Sequence, residues 1–82
     1  MLKDEVSRMQ INYNRLWKLL IDKGMMKKDL RLAIGMTTTA LAKMGRNENV
    51  STELLVKICE ELNCRIEDIC EVVPVPSEGE NV

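Results

Sequence analysis

Lys27-Lys28-Asp29-Leu30-Arg31-Leu32-Ala33-Ile34-Gly35-Met36-Thr37-Thr38-Thr39-Ala40-Leu41-Ala42-Lys43-Met44-Gly45 (residues 27–45) reads as two short helices joined by one turn. In the first helix, over residues 27–33, Leu30, Ala33 and Ile34 face inward at helical spacing. Gly35 follows, and glycine adopts positive φ without a Cβ penalty, so the chain turns sharply there. Thr37 is a good N-cap, because its hydroxyl accepts from backbone N–H groups that a helix start leaves unpaired. The second helix spans residues 37–44 and stops at Gly45. At 100° per residue it puts Thr37, Leu41 and Met44 on one side and Thr39, Lys43 and Arg46 on the other. A short helix, a glycine turn and a helix with an apolar inside and a donor-rich outside make a helix-turn-helix.

Upstream, Tyr13, Leu16, Trp17, Leu20 and Ile21 keep the i, i+3, i+4 spacing of one face and predict a helix over residues 13–23, stopped by Gly24. Trp17, the larger of the two aromatic side chains, reads as a core anchor. Downstream, residues 46–50 form a polar loop. Ser51 caps a fourth helix with Leu54, Leu55, Ile58 and Leu62 inside and Asn63 at its end. A fifth, short helix is predicted over residues 66–72, before Pro74 and Pro76 forbid its continuation. Residues 10–13 alternate polar and apolar, and read as a short strand that pairs with the β-branched Val72, Val73 and Val75. The expected fold is all-α, a compact five-helix domain with short terminal strands. It divides into an N-terminal arm at residues 1–12, whose first eight residues are frayed, the helix-turn-helix domain at 13–73 and a flexible acidic tail at 74–82.

Eighty-two residues allow one small core. Such a core buries only about 60% of the unfolded surface, which favours a partner chain. The net charge of −1 hides an asymmetry. Residues 27–46 carry five bases against one acid, whereas residues 47–82 carry two bases against nine acids. A local basic face suits a polyanion, although solvated helix surfaces produce the same pattern. Three cysteines, no signal-peptide pattern and no apolar run of membrane length predict a cytoplasmic protein with reduced thiols.

Double-stranded DNA is read by a helix in the major groove that offers donors and methyl groups to base edges while phosphate contacts hold it. Thr38 and Thr39 supply hydroxyls and methyls in the first turn of helix 37–44, and Lys43 lies one turn on, on the same face as Thr39. These three are the candidate base contacts. Lys27 and Lys28 open the preceding helix, the element that crosses the backbone in this motif, and are candidate phosphate contacts. Arg46, Asn47 and Asn49 in the following loop are suited to the other edge of the groove.

The stretch from Lys27 to Leu30, Gly35 in the turn and residues 37–44 resemble the Cro and phage-repressor (Xre-like) helix-turn-helix family. Residues 14–20 before the motif, and Val50 to Leu55, Ile58-Cys59 and Leu62-Asn63-Cys64 after it, resemble the compact five-helix, lambda-repressor-like regulators of Gram-positive bacteria and their mobile elements. The resemblance covers about residues 10–73. It implies base contacts from Thr38, Thr39 and Lys43, and phosphate contacts from Lys27, Thr37, Arg46 and Asn47. Arg31 departs from the family, which usually carries alanine after the leucine. Either its stem snorkels outward or the angle between the two helices changes.

Catalysis is not expected. The chain has no histidine, and no Ser/His/Asp set, paired carboxylates or phosphate-cradling loop can be assembled. Without histidine or Cys-x-x-Cys spacing no metal is expected, nor any other cofactor, and no small-molecule ligand or membrane is evident. Cys59 and Cys70 read as core fillers, and Cys64, at a helix end, as a partly exposed thiol open to redox chemistry. The expectation is a transcriptional repressor that binds an operator through helix 37–44, as a homodimer with residues 1–12 and 71–76 as candidate contact surfaces. The competing reading is a protein-interaction module, an antitoxin or adaptor docking through its acidic C-terminal half.

Overall fold

The computed structural model describes residues 8–75. Strand β1 (Met9–Asn12) leads into helices α1 (Asn14–Asp22), α2 (Lys27–Ile34), α3 (Thr38–Gly45) and α4 (Thr52–Leu62). A single 3₁₀ turn (Ile66–Asp68) and strand β2 (Glu71–Pro74) complete the order. Of the frayed-arm reading over residues 1–8, residues 1–7 lie outside the described residues, as does most of the acidic-tail reading, on residues 76–82, whereas Arg8 is tied to Val75 through its carbonyl.

The five-helix count needs correction, because the described residues hold four α-helices, while the expected short terminal strands form a two-stranded sheet. What reads as a fifth helix over residues 66–72 is one turn, in which Ile69 N–H reaches the Ile66 carbonyl at 3.1 Å. The chain then becomes extended at Glu71. Val72 and Val73 lose rotamer freedom in a helix, and Pro74 pushes the residue before it into the β region. The β2 backbone pairs antiparallel with β1, Gln10 opposite Val73 and Ile11 opposite Val72. One step further, the Val75 N–H donates to the Arg8 carbonyl at 2.8 Å. Pro74 stands opposite Met9, at a step between hydrogen-bonded pairs, so its missing N–H costs the ladder nothing.

Arg15 ties this ribbon to the helices. Its guanidinium donates to the Glu67 carbonyl at 2.8 Å and pairs with the Glu71 carboxylate at 2.9 Å.

The core collects side chains from every helix. Tyr13, Leu16 and Leu20 come from α1 and its cap, Leu30 from α2, and Met44 from α3; Leu55, Ile58 and Leu62 come from α4, joined by Met36 and Ile69. The buried aromatic is Tyr13, not Trp17, which is half-buried at the core's edge beneath the Lys27 ammonium, 4.2 Å from the ring centroid. Ile21 is 75% exposed, although its spacing matches the inner face. The helix ends one residue later, so no neighbouring element covers that turn.

Gly35 adopts φ +72° between α2 and α3, and the N–H groups of Gly35 and Met36 both turn back to the Arg31 carbonyl. A Cβ at Gly35 would meet nothing within 4 Å, so its whole cost is conformational. Gly35→Ala is therefore expected to lose about 1 kcal/mol of stability in urea unfolding, and Gly35→Asn less than half of that. Asn63 fills the same left-handed position after α4, at φ 53°. There Cys64 folds back so that its N–H reaches the Cys59 carbonyl at 3.1 Å. Burial, with Cys59 alongside, pushes the Cys64 thiol up to about 11, leaving it protonated at neutral pH.

Candidate nucleic-acid interface

The second helix of the motif has two unlike faces. Its inner face puts Met44 fully into the core, with Ala40 and Leu41 packed against the core's edge. Its outer face leaves Thr38, Thr39 and Lys43 exposed. Thr37 Oγ1 accepts from the Ala40 N–H at 3.0 Å, as its N-cap position predicts. Its hydroxyl proton stays available to an outside acceptor.

Thr37, Thr39 and Lys43 line one shallow groove of roughly 190 Å³, together with Ala40, Val50, Ser51 and Leu54. Thr38 does not line it. Ser51 is the residue sequence reasoning passed over, having been read only as a cap. It does cap α4, accepting from the Leu54 N–H at 3.1 Å. The groove thus holds the N-caps of two helices, α3 and α4, and their macrodipoles add positive potential there. The only signal for this in the sequence is the N-cap serine closing the loop after the recognition segment.

Lys27 and Lys28 stand apart from this groove. They line a second, apolar depression of roughly 390 Å³ with Trp17, Leu20, Ile21, Met25 and Met26. The Lys27 ammonium is stationed over Trp17 by a cation–π contact, and Lys28 is exposed. Arg31 takes the snorkelling alternative in part. It is half-buried, and its guanidinium reaches back to the Met36 carbonyl at 3.5 Å, a weak bond across the α2–α3 turn.

The loop between α3 and α4 is the best-fixed part of the site. Asn47, half-buried, sits in the left-handed region at φ 60°, with its N–H on the Met44 carbonyl at 3.1 Å. The Glu48 N–H donates to the Lys43 carbonyl at 2.9 Å. From the other side, the buried Tyr13 hydroxyl donates to the Glu48 carbonyl at 2.8 Å, across 35 residues of sequence. Burial raises the Tyr13 pKa above its ordinary value and Cys70 adds to this, with backbone hydrogen bonding at Val50 opposing.

Arg46 is not a free cation. Its Nε lies 2.8 Å from Glu48 Oε2, and its Nη2 lies 3.4 Å from Oε1. The hydrogen bond from Arg46 holds the Glu48 carboxyl below its ordinary value against a desolvation effect, with the charges of Arg46 and Lys43 adding to it. The same bond raises Arg46. Asn49 is exposed. The structure therefore brings Thr37, Thr39 and Lys43 together, with Arg46, Asn47 and Asn49 in the adjoining loop, and leaves Lys27 and Lys28 on a separate edge.

The pattern of the Cro/C1-type HTH DNA-binding domain matches residues 15–75. No curated protein matches the chain. A solved structure, the transcriptional regulator VanUg in its crystal form II, is similar over 92% of this chain and 100% of that one, at 47% identity and a TM-score of 0.83. No helix among the described residues is long and apolar enough to cross a membrane.

Proposed function

We propose, because this chain belongs to the Cro/C1-type helix-turn-helix DNA-binding family, that it is a transcriptional repressor reading operator DNA with the outer face of α3. The observation that carries the reading is the division of α3. Met44 is fully buried while Thr38, Thr39 and Lys43 stand exposed on the other side, so a rigid helix presents two threonines and an ammonium outward. Thr38 and Thr39 offer hydroxyls and methyls to base edges, and Lys43 donates to guanine O6 or N7. Lys27, Lys28, Thr37, Arg46, Asn47 and Asn49 hold phosphates on either side. The protein works in the cytoplasm, without catalysis, by occluding a promoter.

A homodimer accommodates the small core and gives two half-sites about one helical turn, roughly 34 Å, apart. The terminal ribbon is the assigned contact surface, where Val72 is 64% exposed.

Fluorescence anisotropy on duplex DNA from upstream of the protein's own reading frame, beside random duplex, tests the function. Operator binding is expected to weaken steeply with salt. Thr39→Ala is expected to lose about 1–3 kcal/mol of discrimination while binding random duplex as wild type does. Absence of binding to either duplex at low salt would remove the reading. It would favour the second one, a protein-docking adaptor or antitoxin. That alternative draws on the apolar groove of roughly 400 Å³ on the acidic half, between Val56, Cys59 and Ile66 with Glu60 at its rim.

A further inference from the structure

We infer that Glu48 is an affinity-setting residue of the DNA interface, a built-in counter-charge that competes with phosphate for Arg46 and holds down phosphate-driven binding. The inference rests on the DNA reading above.

Arg46 is the only cation of the loop at residues 46–50. Guanidinium holds a phosphate best through two parallel N–H donors. In the free protein the Nε and Nη2 donors of Arg46 are both turned to the Glu48 carboxylate. The pair contributes little to the fold, since its side chains are 59% and 47% exposed and solvent screens such surface pairs. Its larger effect is on what approaches from outside.

Glu48 cannot leave with the loop. Its N–H is held by the Lys43 carbonyl and its C=O by the Tyr13 hydroxyl, and Tyr13 is anchored in the core. Only its side chain can rotate. A phosphate that approaches Arg46 must therefore either displace the Glu48 carboxylate or take the free Nη1–Nη2 edge with that carboxylate still beside it, and in both cases it meets a fixed negative charge.

The penalty falls on every duplex. Random DNA offers the protein little besides phosphate, so nothing offsets the penalty there. An operator adds base contacts from Thr38, Thr39 and Lys43. At a given protein concentration, random sites empty first.

Glu48→Gln keeps the shape of the side chain and removes its charge. On random-sequence duplex the variant is expected to bind about five- to tenfold more tightly than wild type. The slope of log affinity against log salt is expected to steepen by about one. Its melting temperature is expected to stay at the wild-type value, which separates the effect from folding. Glu48→Asp is expected to restore the wild-type slope. In an Arg46→Ala background, the gain from Glu48→Gln is expected to shrink by at least half. Equal affinity and slope for wild type and Glu48→Gln would overturn this inference alone. If neither protein binds any duplex at low salt, the DNA reading falls with it.

Discussion

Lys43→Glu is expected to reduce operator affinity at least a hundredfold while the protein melts as wild type does. Lys43 is exposed on the outer face of α3, so the fold depends little on it. At the interface the substitution acts three times. It removes the proposed guanine contact, worth roughly 1–3 kcal/mol. It turns one phosphate attraction into a repulsion, and charge at a DNA surface acts on every nearby phosphate. It also sets a second carboxylate near Glu48, whose ionised form Lys43 now helps to stabilise. Because 1.4 kcal/mol is a factor of ten, the first two effects together reach a hundredfold. Anisotropy on the upstream duplex, with circular dichroism as the folding control, reads the result. Under the adaptor reading the same variant keeps its protein partner, since Lys43 lies on α3 and the apolar groove with its Glu60 rim lies along α4. Retained operator binding within tenfold of wild type would remove α3 from the interface.

The local part of this architecture is legible in the sequence because it depends on spacing and backbone chemistry. Gly35 marks a positive-φ turn, Thr37 and Ser51 mark caps, and the 100° rotation assigns Met44 inward and Lys43 outward; each is a short-range property. The pairing of residues 10–12 with the run from Glu71 to Val73 is legible for the same reason, since both segments carry β-branched or alternating residues, although Tyr13 belongs to the start of α1 and not to the strand. What is illegible depends on what lies across the molecule. Whether residues 66–72 continue as helix is decided by Val72, Val73 and Pro74 finding a partner in β1. Helical spacing puts Tyr13 and Trp17 on the same face, and only the packed helices reveal that Tyr13 points to the centre and Trp17 to the rim.

The site divides the same way. Thr39 and Lys43 share a face by rotation alone, but rotation puts Thr37 opposite them, and the structure leaves it exposed in the same groove. Ser51 joins them only because the loop brings the start of α4 back to the start of α3. The Arg46–Glu48 pair is two residues apart and carries opposite charges, yet its closure depends on Asn47 being left-handed and on Tyr13 reaching Glu48. Neither is a pattern in the local sequence. The residues proposed to tune affinity are therefore harder to read than those proposed to contact DNA.

Met44→Ala is expected to have the largest effect on the protein as a whole, and a separate effect on DNA binding. Met44 is fully buried, and a buried methionine truncated to alanine loses roughly 2–5 kcal/mol through lost transfer and the cavity left behind. A chain of this length is stable by only about 4–12 kcal/mol. At about 4–8 °C per kcal/mol, the melting temperature should fall by roughly 8–40 °C, whereas Met44→Leu, which nearly keeps the volume, should cost under about 1.5 kcal/mol. Ile58→Ala is the matched comparison, since Ile58 is as fully buried but belongs to α4. Both variants weaken the fold by similar amounts, yet Met44 is the only buried side chain that α3 contributes. Losing it should free α3 to open locally, so that its amides exchange faster than those of α4 under native conditions. Operator affinity, corrected for the unfolded fraction, should then fall at least tenfold in Met44→Ala and stay within threefold of wild type in Ile58→Ala. Equal losses in the two variants would mean that global stability alone governs DNA binding and that anchoring of α3 through Met44 adds nothing to it.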